Sequence, residues 1–166
     1  MRVFVEKQRF NQWFMHLIVW GSLAIIAYAV YKVNANGAEK LGQTGLIIFN
    51  GTMVLSAVFL FLLYAISLRT RIDEKGIYYQ MFPLHLKMKL IRWSELKECH
   101  TRSYSAMGEY GGWGYKISLS GSGKAYNTSG NQGIQLQFIS GKKLLIGTQR
   151  PTEAQRTIDQ YFKTQS

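Results

Sequence analysis

The side chains of this sequence that could do chemistry are few, and their spacing does not favour it. Cys99-His100 is the one adjacent pair that suggests a nucleophile and its base. Neighbours on a strand point to opposite faces, so the two would diverge, and a buried small Cys beside a surface His is expected. The three His, at 16, 85 and 100, have no spacing that suggests joint metal ligation. The glycine-dense stretch Gly108 to Gly114, GEYGGWG, invites a phosphate-binding reading. A phosphate loop needs a helix N-terminus behind it, and here an alternating, strand-like run follows. Gly121-Ser122-Gly123-Lys124 fails as well, because Ala125 stands where a hydroxyl is required. The acids after residue 68 are scattered and form no clear carboxylate pair; Glu95 reads as a structural group where a strand meets a turn. No catalytic residue, metal or cofactor is expected, and the chain is not expected to be an enzyme.

Charge is the remaining chemical clue. Lys and Arg number 20 against 9 Asp and Glu in 166 residues, a formal net charge of +11. Such an excess favours an acidic neighbour. Arg69 and Arg71 follow directly on an apolar run, where each could gain about 1 kcal/mol from anionic lipid. Lys87 and Lys89 read as one face of an alternating strand, which makes these four a candidate lipid-surface set. Nucleic acid is not expected, since there is no dense basic run or reader motif.

The elements that would hold these groups divide the chain. Residues 14–33 and 46–68 are uncharged apart from Lys32, and at about 1.5 Å per helical residue each is long enough to cross a hydrocarbon core of roughly 30 Å. Both are apolar around the whole helical circumference, unlike the core helix of a small soluble fold. This predicts a cytoplasmic segment 1–13, transmembrane helices 14–33 and 46–68, an extracytoplasmic connector 34–45, and a cytoplasmic domain 69–166. Arg2, Lys7 and Arg9 before the first span, and Arg69 and Arg71 after the second, put both termini in the cytoplasm by the positive-inside rule. Ala24 and Ala27 with Gly51, Thr52 and Ser56 are candidate small-residue contacts between the spans, and Asn50 a candidate interhelical hydrogen-bonding group.

After Leu68 the apolar period changes to alternation. Leu84, Leu86, Met88 and Leu90 alternate with His85, Lys87 and Lys89; Trp113, Tyr115, Ile117 and Leu119 form a second set, and Ile134, Leu136 and Phe138 a third. Six or seven half-buried antiparallel strands are expected, with turns at Glu74 to Gly76, Ser120 to Gly123, Ser129 to Gly133 and Ser140-Gly141. Pro151 then opens a helix with a Thr152-x-x-Gln155 capping box and an apolar stripe of Ala154, Ile158, Tyr161 and Phe162.

The run Gly112-Trp113-Gly114-Tyr115-Lys116-Ile117, then Ala125-Tyr126-Asn127, Gly133-Ile134-x-Leu136 and Leu145 to Pro151 resembles the bacterial pleckstrin-homology-like domains of small membrane proteins. Ile91-Arg92-Trp93-Ser94-Glu95-Leu96 resembles an earlier segment of the same domains. The resemblance implies an α+β membrane protein: a two-helix transmembrane hairpin, then a PH-like antiparallel β-barrel or sandwich closed by a C-terminal helix. It also implies a bacterial inner-membrane location. It brings no catalytic residues. The function expected from these features is a non-enzymatic accessory or scaffold subunit of a larger inner-membrane complex, docking an integral-membrane partner through Tyr110, Gly111, Gly112, Trp113 and Gly114. The alternative is a stand-alone module for anionic lipid, using Arg69, Arg71, Lys87 and Lys89.

Overall fold

The computed structural model describes residues 3–9, 13–36, 38–118 and 121–162. Arg2, Leu119 and Ser120 therefore lie outside the described residues. Two compact units emerge, and one of them is discontinuous: residues 1–10 join 66–166, while 11–65 form the other.

The smaller unit is a helical hairpin, α1 (Trp13–Asn36) and α2 (Ala38–Tyr64), with a break in α2 at Gly42, whose φ of 65° leaves the helical region. The connector expected at 34–45 is thus largely helical. His16–Asn36 and Lys40–Leu62 are each long and apolar enough to cross a membrane, and almost nothing in them is buried. A core helix of a soluble protein would bury one face; these leave Leu17, Trp20, Ile25, Leu55, Phe59 and Phe61 exposed. The helices meet through medium and large side chains, with Leu23, Ile26, Val30 and Val33 facing inward on α1 and Leu46, Phe49, Met53 and Leu60 on α2. The small residues expected at this seam point outward instead, and a side chain added at Gly51 would meet nothing within 4 Å. Asn50 does bond across the seam: it exchanges two amide hydrogen bonds with Asn34, at 3.1 and 3.3 Å. Elsewhere the Tyr64 hydroxyl lies 3.4 Å from His16 Nδ1.

The larger unit begins with a strand that the expected division had left in a plain N-terminal segment. In β1 (Phe4–Arg9) Phe4, Glu6 and Gln8 turn inward and Val5, Lys7 and Arg9 outward. Its partners come from beyond the hairpin: β2 (Ser67–Asp73), β3 (Gly76–Phe82) and β4 (Lys89–Arg92) complete an antiparallel sheet in the order β1-β2-β3-β4. Leu68, assigned by length to the second span, is instead fully buried in the core of this unit. A second sheet has the order β5-β8-β9-β7-β6, from β5 (Leu96–Ser103), β6 (Gly114–Ile117), β7 (Lys124–Asn127), β8 (Gln132–Phe138) and β9 (Lys143–Gly147).

This corrects the fold class. The chain is a mixed α+β protein, but its sheets neither close nor curl into the PH-like barrel or sandwich that the resemblance implies. Among the described residues nine strands form two open sheets, the first strand precedes the helices, and β7 runs parallel to β9 rather than continuing an antiparallel meander. The alternation expected through residues 84–90 also fails. Pro83 has no N–H to give to a ladder, so pairing stops at Phe82 and resumes only at Lys89.

One apolar core lies between the inner faces, from Phe4, Leu68, Ile72, Ile77 and Ile91 on the first sheet to Tyr126, Ile134, Leu136 and Ile146 on the second. Each fully buried Ile or Leu contributes about 1.5–3 kcal/mol. Helix α4 (Pro151–Tyr161) covers one end, burying Ala154 and Ile158, while Phe162 lies 5.9 Å from the Trp93 ring. No side chain caps its N-terminus. Gln155, expected in a capping box, instead accepts from the Thr101 N–H at 2.6 Å and the Thr101 hydroxyl at 3.0 Å, tying α4 to β5. Glu95 has the structural role expected of it, accepting from the Arg92 N–H at 3.3 Å across the turn Trp93–Glu95. A smaller cluster of Tyr104, Tyr110, Ala125 and Leu145 lies on the other face of the second sheet, beneath the short helix α3 (Ala106–Tyr110).

Candidate functional site

The outer face of the first sheet is built by strict alternation, and the register fixes which side chains are neighbours. Lys7 lies opposite Arg69, Val5 opposite Arg71, and Arg9 opposite Ser67, which in turn is opposite Phe82. Directly opposed residues have Cβ atoms about 4.5–5.5 Å apart, so Lys7 and Arg69 form a like-charge pair that costs stability in the absence of an anion. Arg71 is partly engaged, by Asp73 at 3.0 Å and by the Tyr78 ring at 5.6 Å. Lys7, Arg9 and Arg69 make no ion pair among the described residues. The Arg9–Ser67–Phe82 end of the sheet is the one from which the chain leads to α1 and to which it returns after α2.

At the same end, residues 83–88 leave the sheet as a short loop with its apolar side chains outward. Leu86 is 80% exposed and Leu84 54%, with Met88 and Phe82 also exposed. His85 turns inward, the reverse of the expected alternation. Its N–H donates to Met81 O at 2.7 Å, Gln80 Nε2 donates to Leu86 O at 2.9 Å, and its ring packs 5.6 Å from Tyr79 and 5.2 Å from Tyr126. Burial, with the nearby Lys89 ammonium, holds the imidazole below its ordinary pKa.

The four expected lipid-surface residues are therefore not one patch. Arg69 and Arg71 share the outer face with Lys7 and Arg9; Lys87 sits in the loop; Lys89 lies opposite Tyr79 and so faces the other side of the sheet. Lys7 and Arg9 belong to the site but were read only as topology signals. The period-two pattern of FVEKQR was the available clue to them.

The expected partner-docking loop is mostly occupied by its own fold. Tyr110 is buried and its hydroxyl donates to Ser122 O at 3.2 Å; Gly111 ends α3 in the left-handed region; Gly112 is buried and its N–H donates to Ala106 O at 2.8 Å. The Trp113 indole donates to Gly130 O at 3.2 Å, and the Gly114 N–H donates to Asn127 Oδ1 at 2.8 Å. Beside this loop, Arg102 forks onto Glu109 at 2.6 and 3.1 Å and donates to Gln135, and the Arg102 bond draws the Glu109 carboxyl below its usual pKa.

Among the described residues, Cys99 and His100 do not come together. Cys99 is buried and its thiol pKa is pushed up, chiefly by desolvation, while His100 is exposed on the opposite face. Among the described residues no group of three His, Cys, Asp or Glu side chains is placed to hold a metal ion.

The fold and this surface define a class: an α+β domain assembled on both sides of a hairpin of two helices that are long and apolar enough to cross a membrane. A family model described as "Family of unknown function (DUF6141)" matches residues 2–162, and the chain belongs to that family. No curated protein gives a match.

Proposed function

We propose that this protein is a non-enzymatic, two-span membrane protein whose folded domain rests on and reads an acidic membrane surface. The observation that carries this reading is the coincidence, at the sheet end joined to both helices, of Lys7, Arg9 and Arg69 with a loop exposing Leu84, Leu86 and Met88. Apolar side chains flanked by cations are the composition of an interfacial contact: the former enter the headgroup–acyl boundary and the latter pair with acidic headgroups. The same cations favour a cytoplasmic location for both ends of the hairpin. A scaffold role through residues 110–114 has less support, because Tyr110 and both flanking backbone groups are already bonded within the fold.

The experiment uses the full chain. With Cys99 buried and its thiol disfavoured, Leu86→Cys provides a selective site for an environment-sensitive fluorophore. In nanodiscs containing phosphatidylglycerol the probe reports an apolar surrounding and is quenched by lipid-borne nitroxide; Lys7→Glu with Arg69→Glu weakens that contact. A probe equally water-exposed in acidic and neutral discs refutes the reading, as does recovery of a stoichiometric protein partner that covers the loop.

A further inference from the structure

A cavity of about 570 Å³ lies between residues of the first sheet and residues of the second. This volume is within the range of small-ligand sites. Its wall is aromatic and apolar, with Tyr79 from the first sheet and Tyr126, Phe138 and Leu144 from the second. The Tyr126 ring stacks 5.0 Å from Tyr115 and lies tilted by 40° at 5.1 Å from Tyr79. Burial raises both phenol pKa values, Tyr126 to about 12, so the wall stays neutral.

The rim is cationic. Lys89, Lys124 and Lys142 line the cavity, no carboxylate does among the described residues, and none of the three makes an ion pair there. Lys143 borders the cavity with its backbone only: it is paired with Gln137, and its side chain lies on the other face of the sheet, with Glu98 and Glu109. The sequence hides this convergence, because the lysines come from two strands and one turn. Gly123 enforces part of it. Its φ is +83°, and a Cβ there would overlap the Lys143 carbonyl, so only glycine lets the turn that precedes Lys124 press against β9. Three unpaired ammonium groups around one low-dielectric concavity repel one another, and an anion among them relieves that repulsion.

The position of the cavity indicates which anion. Lys89 lies opposite Tyr79, three residues from Phe82, on the side of the sheet that leads to the exposed loop and to the chain's exit into the helices. An apolar wall with a cationic rim fits a molecule with an anionic head and an apolar body. We infer that this cleft binds the phosphate-bearing headgroup of an acidic phospholipid, the lysines pairing with the phosphate while the upper part of the lipid lies along Tyr79, Tyr126 and Phe138. This deepens the surface-reading proposal by assigning the lipid class and the place where its charge is read.

The test is acylation footprinting of the full chain in nanodiscs of phosphatidylcholine with or without phosphatidylglycerol, read by mass spectrometry. Lys124 and Lys142 are expected to react about tenfold more slowly in the acidic discs, whereas the exposed Lys97 on β5 is unchanged. Delipidated wild type should take up phosphatidylglycerol about tenfold more tightly than Lys124→Glu/Lys142→Glu. Both lysines are exposed, so the variant is expected to keep the wild-type exchange pattern in β7 and β9. Equal reactivity in the two discs overturns the site. Protection by millimolar inorganic phosphate as strong as that by the lipid overturns the phospholipid assignment in favour of a soluble anion. If the fluorophore at position 86 still enters acidic discs while these lysines stay reactive, the cleft inference fails and the surface reading stands.

Discussion

Removing the Glu6 carboxylate should loosen the larger unit far more than its place as the third residue of the first strand would suggest. Its Oε2 accepts from the Thr148 hydroxyl at 2.6 Å and its Oε1 from the Gln149 N–H at 2.8 Å. Two residues on, Gln8 donates to Gly147 O at 2.8 Å and accepts from the Thr128 hydroxyl at 3.0 Å. These bonds join β1 to the end of β9 across more than a hundred residues. In Glu6→Ala the buried Thr148 hydroxyl and the part-buried Gln149 N–H lose their acceptor, at a cost of up to about 1–3 kcal/mol each. Relief of the carboxylate's own desolvation offsets part of this, leaving about 2–4 kcal/mol. The adjacent Val5, 59% exposed, is the control, and Val5→Ala should cost under about 0.5 kcal/mol. Hydrogen exchange of the full chain in mild detergent reads the difference locally: the Gln149 amide should exchange roughly 30- to 1,000-fold faster in Glu6→Ala. A double-mutant cycle with Thr148→Val should return a coupling of about 1 kcal/mol or more. If residues 4–9 of the wild type exchange like a free tail, or Gln149 keeps its protection in Glu6→Ala, the clamp does not exist. The same geometry implies that a fragment beginning at Ile66 is not a complete domain, because it strips β1 from β2 and removes the Gln8 and Glu6 side chains that bond Thr128 and Thr148.

His85 should make stability pH-dependent. Its folded pKa lies below the ordinary value near 6.5, so as pH falls from about 6.5 the unfolded chain takes up a proton that the folded state resists. Stability is full above that value and declines until pH passes the folded pKa; denaturation midpoints of wild type and His85→Gln across this range should differ in slope, and identical slopes would show that His85 is not the group responsible. In the hairpin, Asn50→Leu should lower the thermal midpoint in detergent by the loss of about 1 kcal/mol of interhelical bonding, while Ser56→Leu should not, since Ser56 bonds only to Thr52 O of its own helix. Equal effects of the two substitutions would mean that the Asn34–Asn50 pair contributes nothing.

What the sequence discloses here depends on how locally each feature is encoded. The two long apolar helices, the α4 stripe and the divergence of Cys99 from His100 follow from composition and period alone. The Asn50 bond was legible too, because an amide in an apolar helix has few other ways to be satisfied. The misreadings share one cause, which is pairing between distant segments. FVEKQR is too short to declare itself a strand when its partner lies beyond a 55-residue hairpin. FPLHLKMKL alternates like a strand, yet Pro83 removes the ladder donor and Gln80 ties the loop back, so His85 goes in and Leu86 comes out. The PH-like resemblance rested on motifs within individual strands, which carry no information about the order in which strands pair. The lysine rim was illegible for the same reason: Lys89, Lys124 and Lys142 converge only through the topology.

The interleaved chain order also bears on how lipid binding by this domain should be measured. Arg9 and Ser67 are paired neighbours in one ladder, so both open ends of the hairpin are anchored at strand spacing, about 5 Å apart. If the proposed headgroup contact exists, it forms within a protein already tethered by its helices, at an effective concentration that can reach the millimolar range for short connections. A headgroup contact of modest intrinsic affinity is then enough to be occupied. It also follows that loss of the contact would not release the protein: Lys124→Glu/Lys142→Glu or Lys7→Glu/Arg69→Glu should leave membrane attachment intact. Fractionation or vesicle flotation would score such variants as wild type and miss the defect. Only a readout at the contact itself, such as the environment of residue 86 or the reactivity of the rim lysines, separates a domain that reads its lipid from one that merely hangs beside it. What such a tethered site can discriminate is the difference in free energy between acidic and neutral headgroups, and that difference is largest where unpaired cations converge on an apolar wall.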